Sequence, residues 1–464
     1  MKQYVVILLI LLASCVKPSY YQTQTTSLNA LYENDFAKSL AELEKNEYLK
    51  KDFNANLYQI EKGRLLFLMG KYEEASKLLI EAELSMEDWK TFHYRSSKGE
   101  STYIMDKRYT KDGSPLPPLP TRTGDYYGEN SPEVRGSYGV VNTVNIKSPR
   151  NLKFMCNDYE RPLINFYVGL CGIKLRDDKP FVEAKRLNIL MQNLDTRKFP
   201  MNPGPVGYAT NPFIPLSSGI FYEAMGDYNN ALIAYEKALV CFEDYYCYAN
   251  YGVRMPTQLL VDVLSLSKKM GFQDRVEIFT KKYPWVQAEK STINSTAILI
   301  VEEGYAPLKD QEIYWIFNGK ITNEKPKWTS SGSQSVKNSR VIVKPQNYMA
   351  ANSIVGLNQT EMKGSVIINM DYAMNEVMKE RFNLEGQQTN TPGNSSGSAN
   401  NSVKNSDTRN WQNLPSKIAY YRVPLSNTIN EISISYYNIK GAKKMQKASV
   451  SKQAKTQVLH FFLN

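Results

Sequence analysis

The chain has 464 residues, enough for about three domains of ~150 residues, so a single small domain is excluded. With 42% hydrophobic and 22% charged residues, 32 Tyr and 17 Phe, it can bury a large core, which rules out collagen-like, coiled-coil and wholly disordered readings. The net charge of +11 is spread along the chain and favours anionic surfaces weakly, while His93 and His460 leave little imidazole for catalysis or a His-rich metal site.

Met1, Lys2 and Gln3 make a short basic start, Val5 to Leu12 form an apolar run, and Leu12-Ala13-Ser14-Cys15 ends it in small residues before a cysteine. Val5 to Ala13 is too short to span a hydrocarbon layer, which needs about 20 helical residues. The pattern resembles a lipoprotein signal peptide. It implies a signal over 1–14, an acylated amino-terminal Cys15 and a membrane-held chain working outside the cytoplasm, with residues 15–27 as tether. Val16 follows the cysteine where Asp would favour inner-membrane retention, so the resemblance implies the outer membrane, facing the periplasm. Cys156, Cys171, Cys241 and Cys247 remain; they permit three disulfide pairings or serve as buried thiols, and no CxxC pair supports a redox or zinc site.

The first repeat begins at Gly63, and Gly70, Ala75, Leu79 and Ala82 follow at +7, +12, +16 and +19; Gly219, Gly226, Ala231, Tyr235 and Ala238 repeat those offsets. Each set predicts a helix, a turn and a second helix, with small residues where the pair closes. This resembles the tetratricopeptide repeat. A degenerate copy between Tyr159 and Leu194 keeps the +12 offset in Gly172 and Ala184 but has one extra turn residue near Asp177, Asp178 and Pro180. Leu28 to Leu43 supplies another helical pair, and helices over Pro256 to Met270 and Gln273 to Lys282 close an array over 28–290. A Pro-rich insertion over 107–150 and the stretch Pro200 to Pro215 are read as excursions from it.

From Ala297 the period changes. Strands are predicted at Ala297–Val301, Ile313–Phe317, Arg340–Val343, Ser365–Met370, Ile418–Val423 and Ile432–Tyr437, with one helix over Tyr372–Phe382. This defines a β-rich domain over 295–464, with a low-complexity loop over 386–407 expected to be disordered. Lys440, Lys443, Lys444, Lys447, Lys452 and Lys455 form a basic tail segment, read as having a solvated or edge-protecting role, with acidic lipid headgroups or cell-wall polymers as the alternative. The fold class is thus α+β, a tetratricopeptide-like α-solenoid followed by a mainly β domain.

The order of landmarks resembles a poorly characterised family of tetratricopeptide-repeat-containing envelope lipoproteins of Gram-negative bacteria. They are the lipidation signal, Tyr159-Glu160-Arg161, Glu183-Ala184-Lys185-Arg186, Asn211-Pro212-Phe213, Glu303 to Lys309 and Asp407 to Pro415. The resemblance implies a lipoprotein that cooperates with other envelope proteins in surface-structure assembly, and it supplies no catalytic residues. Lys309, Arg409 and Trp411 are the candidates for a partner-binding patch; the structural reading makes Lys309 a carbonyl or carboxylate ligand and Trp411 with Leu414 a core plug.

No GxSxG, HExxH, Walker or GxGxxG motif is present. Ser265-x-x-Lys268 and Ser449-x-x-Lys452 lack companion motifs, and adjacent Glu302 and Glu303 point to opposite faces of a strand. No catalytic residue, metal ligand, cofactor, nucleic acid or small-molecule substrate is expected. The leading expectation is a non-enzymatic scaffold offering a concave helical surface to a partner; a cell-wall-active enzyme or enzyme activator, or an export or appendage subunit, are the alternatives.

Overall fold

The computed structural model describes residues 19–87, 89–95, 101–107, 153–157, 159–195, 211–244, 247–248, 251–288, 295–317, 320–322, 336–344, 354–357, 365–374, 407–425, 431–437, 441–451 and 456–463. Cys15, nearly all of the 107–150 insertion, most of the 386–407 loop, Lys440, Lys452 and Lys455 lie outside them.

The N-terminal half is a succession of helices. A short α1 (Tyr20–Thr23) leads into α2 (Thr25–Tyr32) and α3 (Phe36–Glu44), then α4 (Ala55–Leu68) and α5 (Tyr72–Glu87), α6 (Arg161–Leu175) and α7 (Lys179–Asp195), α8 (Phe213–Ala224) and α9 (Tyr228–Glu243), and α10 (Thr257–Lys269) and α11 (Gln273–Lys282). From α2 to α11 each helix packs against its neighbour in the chain, so five hairpins stack in sequence order. Each hairpin turns on one left-handed residue: Asn34 (φ 61°), Gly70 (77°), Arg176 (59°), Gly226 (80°) and Gly271 (74°). That conformation ends a helix by satisfying its last carbonyls, and glycine adopts it without a Cβ clash. Arg176 stands where the degenerate repeat has its altered turn, so the hairpin closes there without glycine.

Close approach within a hairpin explains the spacing of the small residues. A Cβ on Gly63 would lie 2.8 Å from Leu79, and one on Gly219 would lie 2.4 Å from the Tyr235 ring. These are the first and +16 positions of the two repeats. Gly172 is closed by Pro180 and Asp177. Ala75, Ala82, Ala184, Ala231 and Ala238 are fully buried at the same seams.

The C-terminal half holds β3 (Ser295–Glu303), β4 (Leu308–Phe317), β5 (Lys320–Thr322), β6 (Val336–Lys344), β7 (Ile354–Leu357), β8 (Ser365–Asn369), β9 (Lys417–Leu425), β10 (Glu431–Tyr437), β11 (Lys443–Ser449) and β12 (Thr456–Leu463); a separate hairpin, β1 (Trp89–Arg95) and β2 (Ser101–Lys107), leaves the helices after α5. The orders are β12-β3-β9-β8, β11-β10-β7 and β5-β4-β6. β12 runs parallel to β3, and β9 runs antiparallel to it. Residues 370–374 are helical, as expected for the start of Tyr372–Phe382; the rest of that helix lies outside the described residues.

Strand alternation builds three layers. Ile298 and Ile300 of β3, Ile418 and Tyr420 of β9, and Val458 and Phe462 of β12 belong to the core shared with the helices. Their neighbours Ala297, Leu299, Val301, Val423, Leu459 and Phe461 pack instead with Ile432, Ile434 and Tyr436 of β10. The four-stranded sheet is therefore buried on both faces, between the helices and the β10 sheet. Among the described residues no helix is long and apolar enough to cross a membrane.

Candidate interaction surfaces

In the third and fourth hairpins the first helix is the buried one. α6 is buried from Pro162 to Gly172 and α8 from Phe213 to Glu223. Helices covered all round need a partner on the side away from their own hairpin. Here that partner is the chain's own C-terminal half, and it meets the first helices through charged side chains as well as apolar ones.

On α4, Arg64 donates from Nη2 to the Glu302 carboxylate of β3, with both side chains fully buried. The guanidinium sits 4.3 Å from the Tyr167 ring centroid and 5.5 Å from that of Phe462. His460 Nε2 of β12 lies 3.0 Å from the same carboxylate. Burial alone would raise Glu302, but Arg64 and then His460 outweigh it and hold its pKa below the usual carboxylate range. Burial lowers the His460 pKa against the opposing pull of Glu302.

Further along, Arg422 of β9 enters between α8 and α10. Its two terminal nitrogens donate to Glu223 at 2.8 and 2.6 Å, and Nε lies 2.8 Å from Asp262 Oδ1. The Tyr420 hydroxyl donates to Asp262, and Tyr235 donates to Glu223 at 2.8 Å. One cation thus serves two carboxylates. Burial opposes ionisation of Glu223, yet the Arg422 charge and hydrogen bonds hold its pKa below normal. Burial pushes Asp262 up to about 6, with Arg422 pulling it down and the Glu223 charge adding to the rise.

The third contact is the loop Asp407 to Pro415. Trp411 is fully buried; its backbone N–H donates to Glu160 at 3.0 Å, and its ring meets Tyr167 edge-on at 5.9 Å. The Gln412 N–H donates to Glu61 Oε1 at 3.1 Å, and the Asn413 side chain donates to the Glu61 carbonyl at 2.8 Å. Burial pushes Glu61 up to about 8 despite the hydrogen bond from Gln412. Arg409 donates to Asn54 at 2.8 Å and pairs with Asp407 at 2.7 Å, while Lys309 Nζ donates to the Arg409 carbonyl at 3.4 Å.

The structure therefore places Lys309, Arg409 and Trp411 together, inside the protein, with contacts to this same chain. It also corrects the expectation of an open concave helical surface: β3, β9, β12 and the 407–415 loop fill the face of the first helices. Sequence reasoning missed Arg64, Glu223, Asp262 and Arg422. The first three had a signal, since each interrupts an apolar helix segment (GRLLFLMG, GIFYEAMG and LLVDVL).

The outer face of the second helices leaves apolar side chains in solvent. Ile189 on α7, Val240 on α9 and Ile278 on α11 are 55%, 68% and 70% exposed, and Leu84 on α5 and Val182 on α7 are also in solvent. A cleft of about 350 Å³ lies beside Val182, lined by Ile80, Asp177, Asp178, Lys179, Glu183 and Arg186. Its Asp177 is paired with Lys179, and Glu183 is paired with Arg186 at 3.3 Å. Lys443, Lys444 and Lys447 lie on β11, at the edge of its sheet. Cys171, Cys241 and Cys247 are buried free thiols and Cys156 is a half-buried one. Among the described residues no group of His, Cys, Asp and Glu is arranged to hold a metal ion.

No family model matches the chain, and no curated protein matches it. Among solved structures, the crystal structure of MamA is similar at 10% sequence identity with a TM-score of 0.29, covering 55% of this chain and 91% of that one.

Proposed function

We propose that the chain is a non-enzymatic, lipid-anchored scaffold of a bacterial envelope, built on tetratricopeptide-like hairpins and held to the outer membrane through Cys15. The observation that carries the scaffold reading is the contrast between the two faces of the hairpin array. Its inner face is filled by the chain's own sheet through buried ion pairs, so the platform is rigid. Its outer face leaves Val240 and Ile278 in solvent on successive second helices, where protein partners of the envelope have apolar side chains to cover. The lipoprotein-like amino terminus supports the anchor, and the absence of a catalytic motif from the sequence supports the non-enzymatic assignment.

Crosslinking in intact cells, followed by purification from mild detergent, tests the reading. The expected result is a reproducible set of crosslinked envelope proteins that is lost when Val240 and Ile278 are changed to Arg while the fold is retained. Recovery of the protein alone from both forms would refute it.

A further inference from the structure

Ser19 stands four residues after Cys15 in the sequence. Ser19 is buried, its hydroxyl donates to Asp310 of β4, opposite Ile342 in the β4–β6 pairing, and its backbone N–H is capped by Gln22 Oε1 at 2.8 Å. Tyr20 is also buried, and its N–H donates to Thr408 Oγ1 at 2.8 Å, in the loop that carries Trp411. The Asn46 side chain closes the far end of α1 by donating to the Thr23 carbonyl at 2.9 Å. Ser19 to Thr23 are thus fixed to both halves of the molecule, and in the sequence only Val16, Lys17 and Pro18 separate Ser19 from Cys15. Four Cα-to-Cα steps reach at most about 14 Å.

The exposed side chains of α1 and α2 are uncharged. From Ser19 to Tyr32 the sequence SYYQTQTTSLNALY has no Asp, Glu, Lys or Arg, in a chain of which 22% is charged. Gln22, Thr23, Thr25, Thr26 and Asn29 are its exposed residues. Neutral polar side chains exchange hydrogen bonds with water for hydrogen bonds with headgroups without stripping the hydration from a charge, and they are not repelled by anionic lipid.

From this geometry, and resting on the lipid-anchor reading, we propose that the neutral face of α1 and α2 is a membrane-apposed surface whose partner is the phospholipid headgroup layer. The body is held flush with the bilayer and does not swing on a leash. The hairpin array then leads away from the membrane, with Ile278 four hairpin steps from α2, on the order of 40 Å at about 10 Å per step.

The test uses the full acylated chain reconstituted in phosphatidylethanolamine and phosphatidylglycerol vesicles with a headgroup-attached nitroxide, and a fluorophore on Thr26→Cys or Ile278→Cys. The expected result is severalfold stronger quenching at position 26 than at 278. Twenty Gly/Ser residues inserted between Cys15 and Ser19 allow a root-mean-square reach of about 27 Å and should erase the difference. Equal quenching at the two positions, on protein whose amino-terminal peptide carries the acyl mass, overturns the membrane-apposed face and leaves the anchor standing. An unacylated amino terminus overturns both.

Discussion

Replacing Arg422 with Met removes a cation shared by two buried carboxylates. Glu223 and Asp262 side chains are 4% and 1% exposed, so neither can turn to water when the guanidinium is gone. Breaking a buried pair from one side costs about 3–5 kcal/mol, because the remaining charge stays desolvated. The cost has a pH signature. Without Arg422 both carboxyls have folded-state pKa values above their unfolded ones. The folded variant then holds protons that the unfolded chain has released, and its stability falls as pH rises through that interval. Urea unfolding at pH 5 and pH 8 should therefore show a larger deficit at pH 8. The triple variant R422M/E223Q/D262N removes all three charges and should recover most of the loss, since a neutral replacement of a buried ionic group is tolerated far better than half of one. A loss below about 1 kcal/mol for R422M, or a triple variant no better than the single, would refute the interlock between sheet and first helices.

Glu61 supplies a second pH dependence. Its pKa of about 8 lies above the unfolded value of about 4.3, so its contribution is fully present below pH 4, and stability is lost as pH rises toward 8. Glu61→Gln keeps an acceptor for the Gln412 N–H without the charge, so it should gain stability over the native chain at pH 9 and change little at pH 4; equal curves at both pH values would contradict this. Gly219→Ala forces a methyl into the Tyr235 ring and should cost about 1–3 kcal/mol by urea unfolding. Gly70→Ala meets no atom within 4 Å and should cost only the strain of a positive φ, about 1 kcal/mol. Burial pushes the thiols of Cys171, Cys241 and Cys247 up to about 12, so none of the three should react with maleimide in the native chain at pH 8, and all should react in denaturant.

The hairpins were legible because their closure is local. Gly63 with Leu79 and Gly219 with Tyr235 sit at one offset, and the αL turn residue falls at another, so a short window carries the signal. Strands β3, β9 and β10 were legible from short apolar runs between turn residues. β11 was read as a basic segment because KKMQKAS has no apolar alternation; its lysines suit an exposed sheet edge. β12, TQVLHFFL, was not read as a strand, although like β3 it is buried on both faces. The filled inner face was out of reach. Arg64 and Glu302 are 238 residues apart, and Arg422 and Glu223 are separated by 199, so nothing short of the sheet's register brings them together. Isolated charges within apolar helices were the only trace.

Hydrogen exchange on the intact chain in rising urea tests most directly whether the inner face is filled by the chain's own sheet. Amides of Arg161–Leu175, Phe213–Ala224 and Lys417–Leu425 should lose protection together, with one opening free energy, because the first helices and β9 share a core and its ion pairs. Exchange of Lys417–Leu425 at low urea, with the two helices still protected, would show the sheet to be a separable layer and contradict the account.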